Sequence, residues 1–249
     1  MLQPHIQLDD LGIRYALLPG DPGRVERIGA FLEDARELGF HREYRSLRGR
    51  YKGVDVLVMS TGMGGTSAAI GLEELRRIGV DTVIRVGSCG ALQAEIRKGD
   101  LILACGAVRQ DGVSRTYIEE FYPAVPDPEL LQSCIAAARE LGVPHHVGVV
   151  RSHESFYLDN MGEINAYWSA RRVLGSDQET AGVLTVSWLR GLRAASILNA
   201  VSQWKTETDI AQGVGAYAGG EATAAAGERR EILVALEALV KTAERDARA

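Results

Sequence analysis

Residues 81–91 read DTVIRVGSCGA, a run of apolar residues that ends in small residues and glycine. This pattern is typical of a strand buried on both faces of a sheet. Arg85 lies inside the run, and burying a charge without a partner is costly. We therefore expect either a carboxylate or a bound anion beside Arg85, so a structural salt bridge and an anion site both stay open. Ser88, three residues on, adds a hydroxyl among glycines.

Five further segments share the buried-strand pattern of consecutive apolar or small residues before Gly, Ser or Thr. They are RYALLPG at 14–20, VDVLVMSTG at 54–62, GDLILACGAV at 99–108, HHVGVVRS at 145–152 and RAASILNAVS at 193–202. Apolar residues at helical spacing occur at 66–79, 127–143, 179–192 and 227–247. Strands that alternate with helices predict an α/β fold with a mixed or parallel sheet covered on both faces. We expect a single domain over residues 1–249.

Local signals refine two of these helices. The first is expected to have Thr66 as its cap and to stop at Gly79. The stretch 213–227, GVGAYAGGEATAAAG, is rich in small residues. It is interpreted as a mobile loop or as the frayed start of the last helix.

Composition narrows the classes of function. The net charge of −5 argues against bulk attraction to nucleic acid. Cys89, Cys105 and Cys134 form no CxxC pair, so we expect reduced thiols and no metal site. The N-terminus lacks the pattern of a signal peptide, and no apolar run reaches the roughly 20 residues of a membrane helix. A cytoplasmic protein with no membrane partner is the expectation.

The stretch 18–24, LPGDPGR, has the features of a phosphate-binding turn. Gly20 and Gly23 permit close backbone approach, and the helix expected after them offers unpaired N–H groups to an anion. Arg24 adds a fixed charge and a bidentate fork. The stretch is neither a Walker loop nor a GxGxxG turn. A plain Pro-Gly turn with a surface arginine is the alternative.

Two other strand ends carry candidate ligand contacts. STGMGGTSA at 60–68 offers backbone N–H groups, or is simply a tight strand-to-helix connection. Glu179, in SDQETAGVL, is able to accept hydrogen bonds from a diol, or serves only the N-terminus of the following helix. Ligands of such sheets bind at the carboxyl ends of strands, so these clusters are expected to meet in one pocket.

Taken together, the motifs resemble the nucleoside phosphorylase superfamily over nearly the whole chain. The stretches that carry this resemblance are GDPGRVERI, STGMGGTSAAIGLEEL, IRVGSCGAL, GDLILACGAVRQDGVS, EFYPAVPDPEL, SFY and QETAGV. HREY at 41–44 and the DGVSRTYIEEFYPAVPD segment are most similar to the uridine phosphorylase branch. RVGSCGA is also typical of bacterial purine nucleoside phosphorylases.

The resemblance implies a fold, a reaction and an assembly. The fold is a single α/β domain with a central mixed, partly barrel-like sheet flanked by helices. The reaction is that of a pentosyltransferase in nucleoside catabolism and salvage, in which a nucleoside and inorganic phosphate give the free base and (deoxy)ribose 1-phosphate. No cofactor or metal is required for this reaction. Inorganic phosphate takes part in it as a co-substrate. The assembly is a homo-oligomer built from dimers, commonly a hexamer.

The resemblance also assigns residues to the site. The implied phosphate ligands are Gly20, Arg24, Arg85, Ser88 and, from a neighbouring subunit, Arg42. The implied ribose ligands are Gln178, Glu179 and the neighbour's His5. Phe156 corresponds to the aromatic side chain that lines the base pocket. Arg85, Glu179 and Gln203 are the residues expected to carry the catalysis.

The base pocket departs from both branches. The uridine branch has a glutamine and an arginine where this chain has Asn160 and Gly162. The purine branch has an aspartate where this chain has Gln203, and Trp204 stands where the uridine branch has an arginine. Asn160, Gln203 and Trp204 are therefore the expected base contacts. An amide hydrogen-bonds but transfers no proton, which suits a uracil leaving group better than a purine.

Three functions stay open at this point. The first is phosphorolysis of a uridine-like nucleoside, and the second is purine nucleoside phosphorolysis. The third is a non-catalytic homologue that binds a nucleoside or a sugar phosphate.

Overall fold

The structure is a computed structural model that describes residues 1–204 and 215–248. The described residues form nine strands in one sheet, in the order β2-β3-β4-β1-β5-β8-β7-β6-β9. The strands are β1 (Tyr15–Pro19), β2 (Glu33–His41), β3 (Tyr44–Tyr51), β4 (Val54–Met59), β5 (Thr82–Ala91), β6 (Leu101–Gln110), β7 (His145–His153), β8 (Gly175–Asp177) and β9 (Arg193–Gln203).

One half of the sheet closes on itself. β5 pairs with β9 in parallel along its whole length, with Arg85 opposite Ser196. β9 pairs with β6 in the antiparallel direction. β6 pairs with β7, and β7 with β8, in the parallel direction. β8 then pairs with β5 in the antiparallel direction, which closes the ring. β5, β8, β7, β6 and β9 thus form a closed five-stranded barrel. This ring confirms the predicted mixed, partly barrel-like sheet, with β5 as the strand shared by the barrel and the open part.

Seven helices with named bounds cover the sheet in the described part of the chain. They are α1 (Pro22–Gly29), α2 (Gly65–Arg77), α3 (Gly112–Tyr117), α4 (Pro128–Glu140), α5 (Met161–Ala170), α6 (Thr180–Leu189) and α7 (Ala222–Asp246). A further helical turn lies at 215–218.

Two helix ends differ from the sequence-based predictions, and a third agrees. The predicted Thr66 cap is wrong, because α2 begins at Gly65 after Gly64, whose φ of 92° suits glycine. The Gly79 stop is confirmed by its φ of 93° and its backbone bond to Arg76. α7 begins at Ala222, five residues before the predicted start. Residues 213 and 214 of the predicted loop lie outside the described residues.

Side chains alternate between two layers of helix along the sheet. On β1, Leu17 belongs to a core shared with Ile232 and Leu236 of α7, whereas Leu18 packs with Leu72 of α2 on the other face. A third cluster, with Ile102 and Leu198 among its members, comes from β5, β6, β7 and β9 of the barrel. Both faces of the sheet are therefore covered, as the apolar strands predicted.

The pattern missed the hairpin of β2 and β3. β2 is almost wholly exposed and reads EDARELGFH, so it lacks the apolar run of a buried strand. β8 has only three residues. Separately, no helix in the described ranges is both long and apolar enough to cross a membrane.

Glu231 is an unusual feature of the core face of α7. The carboxyl group is fully buried, and neither oxygen has a hydrogen-bond partner of good geometry within residues 1–204 and 215–248; the Gly87 backbone N–H interacts with it only weakly. Arg24 Nη1 lies 3.9 Å away, beyond hydrogen-bond distance. Burial raises the pKa of Glu231 well above its usual value; Glu228 also raises it, against Arg24 and Arg85.

We predict that Glu231→Gln stabilises the protein more as the pH rises. Below the unfolded-state pKa near 4.5, Glu231 is protonated in both states. Above it, only the unfolded state readily loses the proton, so the wild type loses stability with rising pH while the variant does not. At pH 8 we expect a gain on the order of 1 kcal/mol, or about 2–4 °C in Tm.

Thermal denaturation from pH 4 to pH 8 checks this expectation. Glu244→Gln, at an exposed position on the same helix, is the control. A Glu231→Gln gain that does not grow with pH would contradict the assignment of a protonated, buried carboxyl.

Candidate active site

A cavity of about 920 Å³ opens where several strands end. Its wall takes residues from the turns after β1, β4 and β7, from the second half of β5, from the β8–α6 junction and from the segment that leads into α7. The residues that line the cavity include Gly20, Arg24, Arg85, Gly87, Ser88, Leu92, His153, Phe156, Met161, Asn165, Gln178, Glu179, Tyr217 and Glu228.

Arg85 is the charged centre of the cavity floor. Its Nε donates to Oδ2 of Asp177 at 3.1 Å, and its Nη2 donates to Oε2 of Glu179 at 2.6 Å. Burial alone would lower the pKa of Arg85, but the two carboxylates hold it above the usual value. Glycine at position 87 is required, because a Cβ there would lie 2.6 Å from Nη2 of Arg85. The guanidinium thus lies along its own strand, and within residues 1–204 and 215–248 its hydrogen bonds to the two carboxylates use Nε and Nη2 rather than Nη1.

Asp177 anchors this arrangement, and sequence reasoning gave it no role beyond the helix terminus. Oδ2 accepts from the Thr180 backbone N–H at 3.0 Å and from its hydroxyl at 2.6 Å. Oδ1 accepts from Ser152 Oγ at 2.6 Å. Asp177 therefore supports the start of α6 and pairs with Arg85 at the same time. The salt bridge to Arg85, which the sequence left open beside an anion site, is therefore present, and so is support of the helix N-terminus, left open beside a diol contact.

Glu179 lies between Arg85 and the turn after β4. Its Oε1 accepts from the Gly64 backbone N–H at 2.6 Å, the group that would otherwise be unpaired before α2. Burial raises the pKa of Glu179, Asp177 adds to that rise, and Arg85 opposes it. Each carboxylate oxygen has two lone pairs, so Oε1 keeps capacity for a hydroxyl donor in the cavity.

Arg24 is also buried, and its partners come from three places. Nη1 donates to the Val86 carbonyl at 2.7 Å, Nε donates to Oε2 of Glu228 at 2.9 Å, and Nη2 donates to the Tyr217 hydroxyl. Tyr217 in turn donates to Glu228. Burial opposes the charge, but Glu231, Tyr217 and Glu228 together raise the pKa of Arg24. The arginine is not the surface residue of a plain turn.

Gly20 and Ser88 complete this end of the cavity. Gly20 approaches the Gly62 carbonyl so closely that a Cβ would lie 3.1 Å from the oxygen. Ser88 is half-buried near the end of β5. The structure therefore brings together four of the five predicted phosphate residues, with the backbone and hydroxyl groups beside two guanidinium groups.

His5 and Arg42 are not among the residues that line this cavity. His5 Nδ1 lies 2.6 Å from Oε1 of the buried Glu74, which also accepts from two backbone N–H groups of the same turn. Arg42 is exposed in the β2–β3 turn with a φ of 55°. Both side chains therefore sit on the surface of this subunit, outside its own cavity wall.

The predicted base contacts divide into two groups. Phe156 lines the cavity, as does Gln178, the predicted ribose contact. Asn160, Gln203 and Trp204 are absent from the wall formed by the described residues. Asn160 is exposed before α5, and Gln203 Nε2 donates to carbonyls of the 93–96 turn, at 2.7 Å for Ile96. Trp204 donates its backbone N–H to Ala91.

Several cavity residues received no role from the sequence, among them Asn165, Tyr217 and Glu228. None of them lies in a motif with a recognisable spacing. Glu228 reaches Arg24 across 204 positions of sequence, and only the fold brings them together. Within the described ranges, no cluster of three or more His, Cys, Asp or Glu side chains is arranged to hold a metal ion.

Comparisons with known proteins agree with this geometry. The family model described as "Phosphorylase superfamily" matches residues 14–238. A uridine phosphorylase of Thermococcus kodakarensis is 42% identical over 245 residues, covering 94% of this chain and 83% of the relative. A guanosine phosphorylase of Halorubrum lacusprofundi is 39% identical over 196 residues, covering 78% and 81%.

A solved structure gives the same result at the level of the fold. The crystal structure of uridine phosphorylase from Vibrio fischeri superposes with a TM-score of 0.88 at 41% identity. It covers 96% of this chain and 97% of its own. Because the family model spans most of the sequence and the relatives align over most of their length, the chain belongs to the phosphorylase superfamily.

Proposed function

We propose that this protein is a nucleoside phosphorylase that splits a uridine-like nucleoside with inorganic phosphate. The observation that carries the proposal is the presence of Arg24, Arg85 and Ser88 in one cavity with Glu179 and Phe156. These groups match the three parts of the reaction: an anion, a sugar diol and a flat base. Relatives named as uridine phosphorylases support the choice of base.

The phosphate would bind at the Arg24 end. Gly20 allows backbone approach, Ser88 supplies a hydroxyl, and the two guanidinium groups offset the charge and orient the anion. Arg85 and Glu179 are in direct contact, so the phosphate and the ribose would lie side by side. Glu179, with Gln178 beside it, would accept hydrogen bonds from the 2′- and 3′-hydroxyls.

The geometry suits a displacement at C1′ of the ribose. A phosphate oxygen forms a bond to C1′ while the C1′–N bond breaks, and the electron pair of that bond leaves with the base. Positive charge develops on the sugar in such reactions, and an anion fixed beside the ring stabilises it. Holding both reactants in place supplies several kcal/mol of the required acceleration.

The positions of His5 and Arg42 support active sites shared between subunits. Both are surface residues outside their own cavity, which suits a role in the cavity of a neighbouring subunit, His5 toward the ribose and Arg42 toward the phosphate. Glu74 orients His5 from behind and fixes the ring. Exposed apolar side chains such as Met63 and Phe121, 87% and 91% exposed, are suited to burial between subunits. We propose a homo-oligomer built from dimers, with the hexamer as its full form.

A purine nucleoside is the second candidate substrate. The relative named as a guanosine phosphorylase favours it, at 39% identity. Gln203, which stands where the purine branch has an aspartate, lies outside the described cavity wall, and an amide transfers no proton to a leaving purine. This favours uridine as the better substrate.

The proposed function predicts a strict phosphate requirement. Uridine, inosine and guanosine are incubated with the protein, with and without phosphate, and the free base and sugar 1-phosphate are measured. We expect base release only with phosphate, one sugar 1-phosphate per base, and the highest kcat/KM for uridine. Release without phosphate would indicate a hydrolase, and binding without release would indicate a non-catalytic homologue.

A pair of variants controls this assay. Arg85→Lys keeps the charge but loses the planar fork, so the KM for phosphate is expected to rise at least about tenfold. Arg77→Lys, at an exposed position on α2, is expected to leave it unchanged.

Mixed oligomers test the sharing of sites. His5→Ala and Glu179→Gln subunits are each expected to be nearly inactive. In a mixed dimer one site keeps both wild-type residues, so random 1:1 reassembly is expected to restore about a quarter of wild-type activity. Activity is measured after mixing is verified by native mass spectrometry. Verified mixed oligomers without any restored activity would contradict the shared site.

A further inference from the structure

Asn165 is a buried polar residue of the cavity wall. It lies on α5, lines the cavity beside Met161, and is only 1% exposed. Its Oδ1 has no hydrogen-bond partner among the residues that the structure describes. Leaving a buried polar group unpaired costs roughly 1–3 kcal/mol, and an apolar side chain would avoid that cost. The missing partner is therefore expected to come from a ligand.

His153 presents a second polar group to the same cavity. It ends β7 and is 7% exposed. Its Nδ1 lies 2.8 Å from the Ser155 carbonyl, which only accepts, so the proton is on Nδ1. Burial lowers the pKa of His153, and the neighbouring Arg151 lowers it further. Near pH 7 the ring is therefore neutral, and Nε2 is an acceptor.

These two groups come from other elements than the charged groups of the cavity. Arg24, Arg85 and Glu179 come from the turn after β1, from β5 and from the β8–α6 junction. His153 and Asn165 come from the end of β7 and from α5, the same part of the chain as Phe156. If the charged end holds the phosphate and ribose, the neutral end with its aromatic ring is where the base belongs.

We propose that Asn165 reads the –CO–NH– edge of the base, in the part of the cavity that it shares with the neutral His153 ring. The proposal rests on the proposed function, and it assigns base recognition to a residue other than Asn160. A carboxamide donates to the carbonyl and accepts from the adjacent N–H of one edge, as two parallel hydrogen bonds. Uracil, hypoxanthine and guanine all present that edge.

The experiment compares two substrates that differ at this edge. Uridine carries the 4-carbonyl and the N3–H, and 2-pyrimidinone riboside lacks both. Inosine and purine riboside form the corresponding purine pair. The wild type is expected to prefer the oxo-substrate in kcat/KM, and Asn165→Ala is expected to reduce that preference about tenfold or more.

A second variant separates recognition from folding. Asn165→Leu replaces an unpaired amide by an apolar side chain, so the Tm is expected to be unchanged or higher while the preference for the oxo-substrate falls. A purely structural asparagine would give the opposite result, a lower Tm with the preference intact. Glu163→Ala, exposed on the same helix, controls for disturbance of α5.

The results for the Asn165 and Asn160 variants and for the wild type lead to different conclusions. If both Asn165 variants keep the full wild-type preference, the proposal is wrong. If Asn160→Ala removes the preference instead, base recognition belongs to Asn160. If the wild type releases no base from any of the four nucleosides in the presence of phosphate, the proposed function itself fails, which is a distinct result.

Discussion

The buried pairing of Arg85 with Asp177 and Glu179 is the interaction on which the site depends. It joins β5, the strand shared by the barrel and the open sheet, to the β8–α6 junction. A charge in the middle of an apolar strand is tolerated only with such partners. The same contacts support the first turn of α6 and, through Gly64, the start of α2. The fold and the site therefore share one set of hydrogen bonds.

Internal carboxylates hold both cavity arginines before any anion arrives. Glu228 and Tyr217 hold Arg24 as Glu179 holds Arg85. Buried guanidinium groups without partners would be costly, so the carboxylates stabilise both arginines in the absence of phosphate. Under the proposed function, phosphate would compete with Glu228 for Arg24, so a residue of the last helix would influence the charge of the site.

Sequence reasoning succeeded where a signal is local. All six apolar runs are strands, and the glycine-rich turn with Arg24 lies at the cavity. Local patterns do not predict a contact between segments that are distant in the sequence, or a strand that is exposed. β2 lies at the sheet edge and has charged residues in place of an apolar run, and Glu228 and Asn165 belong to no motif. Asn160 is exposed before α5, whereas the buried amide of α5 that lines the cavity belongs to Asn165, a difference that the sequence alone does not reveal.

The central claim is that a phosphate reactant binds where Glu228 now pairs with Arg24. Phosphate titration of the wild type and of Glu228→Gln, by calorimetry and by the KM for phosphate, tests it most directly. Removing the carboxylate charge while keeping the side-chain shape is expected to tighten phosphate binding about three- to tenfold, with Glu244→Gln unchanged. Weaker binding in Glu228→Gln would contradict the account, because Glu228 would then hold Arg24 ready for phosphate rather than compete for it.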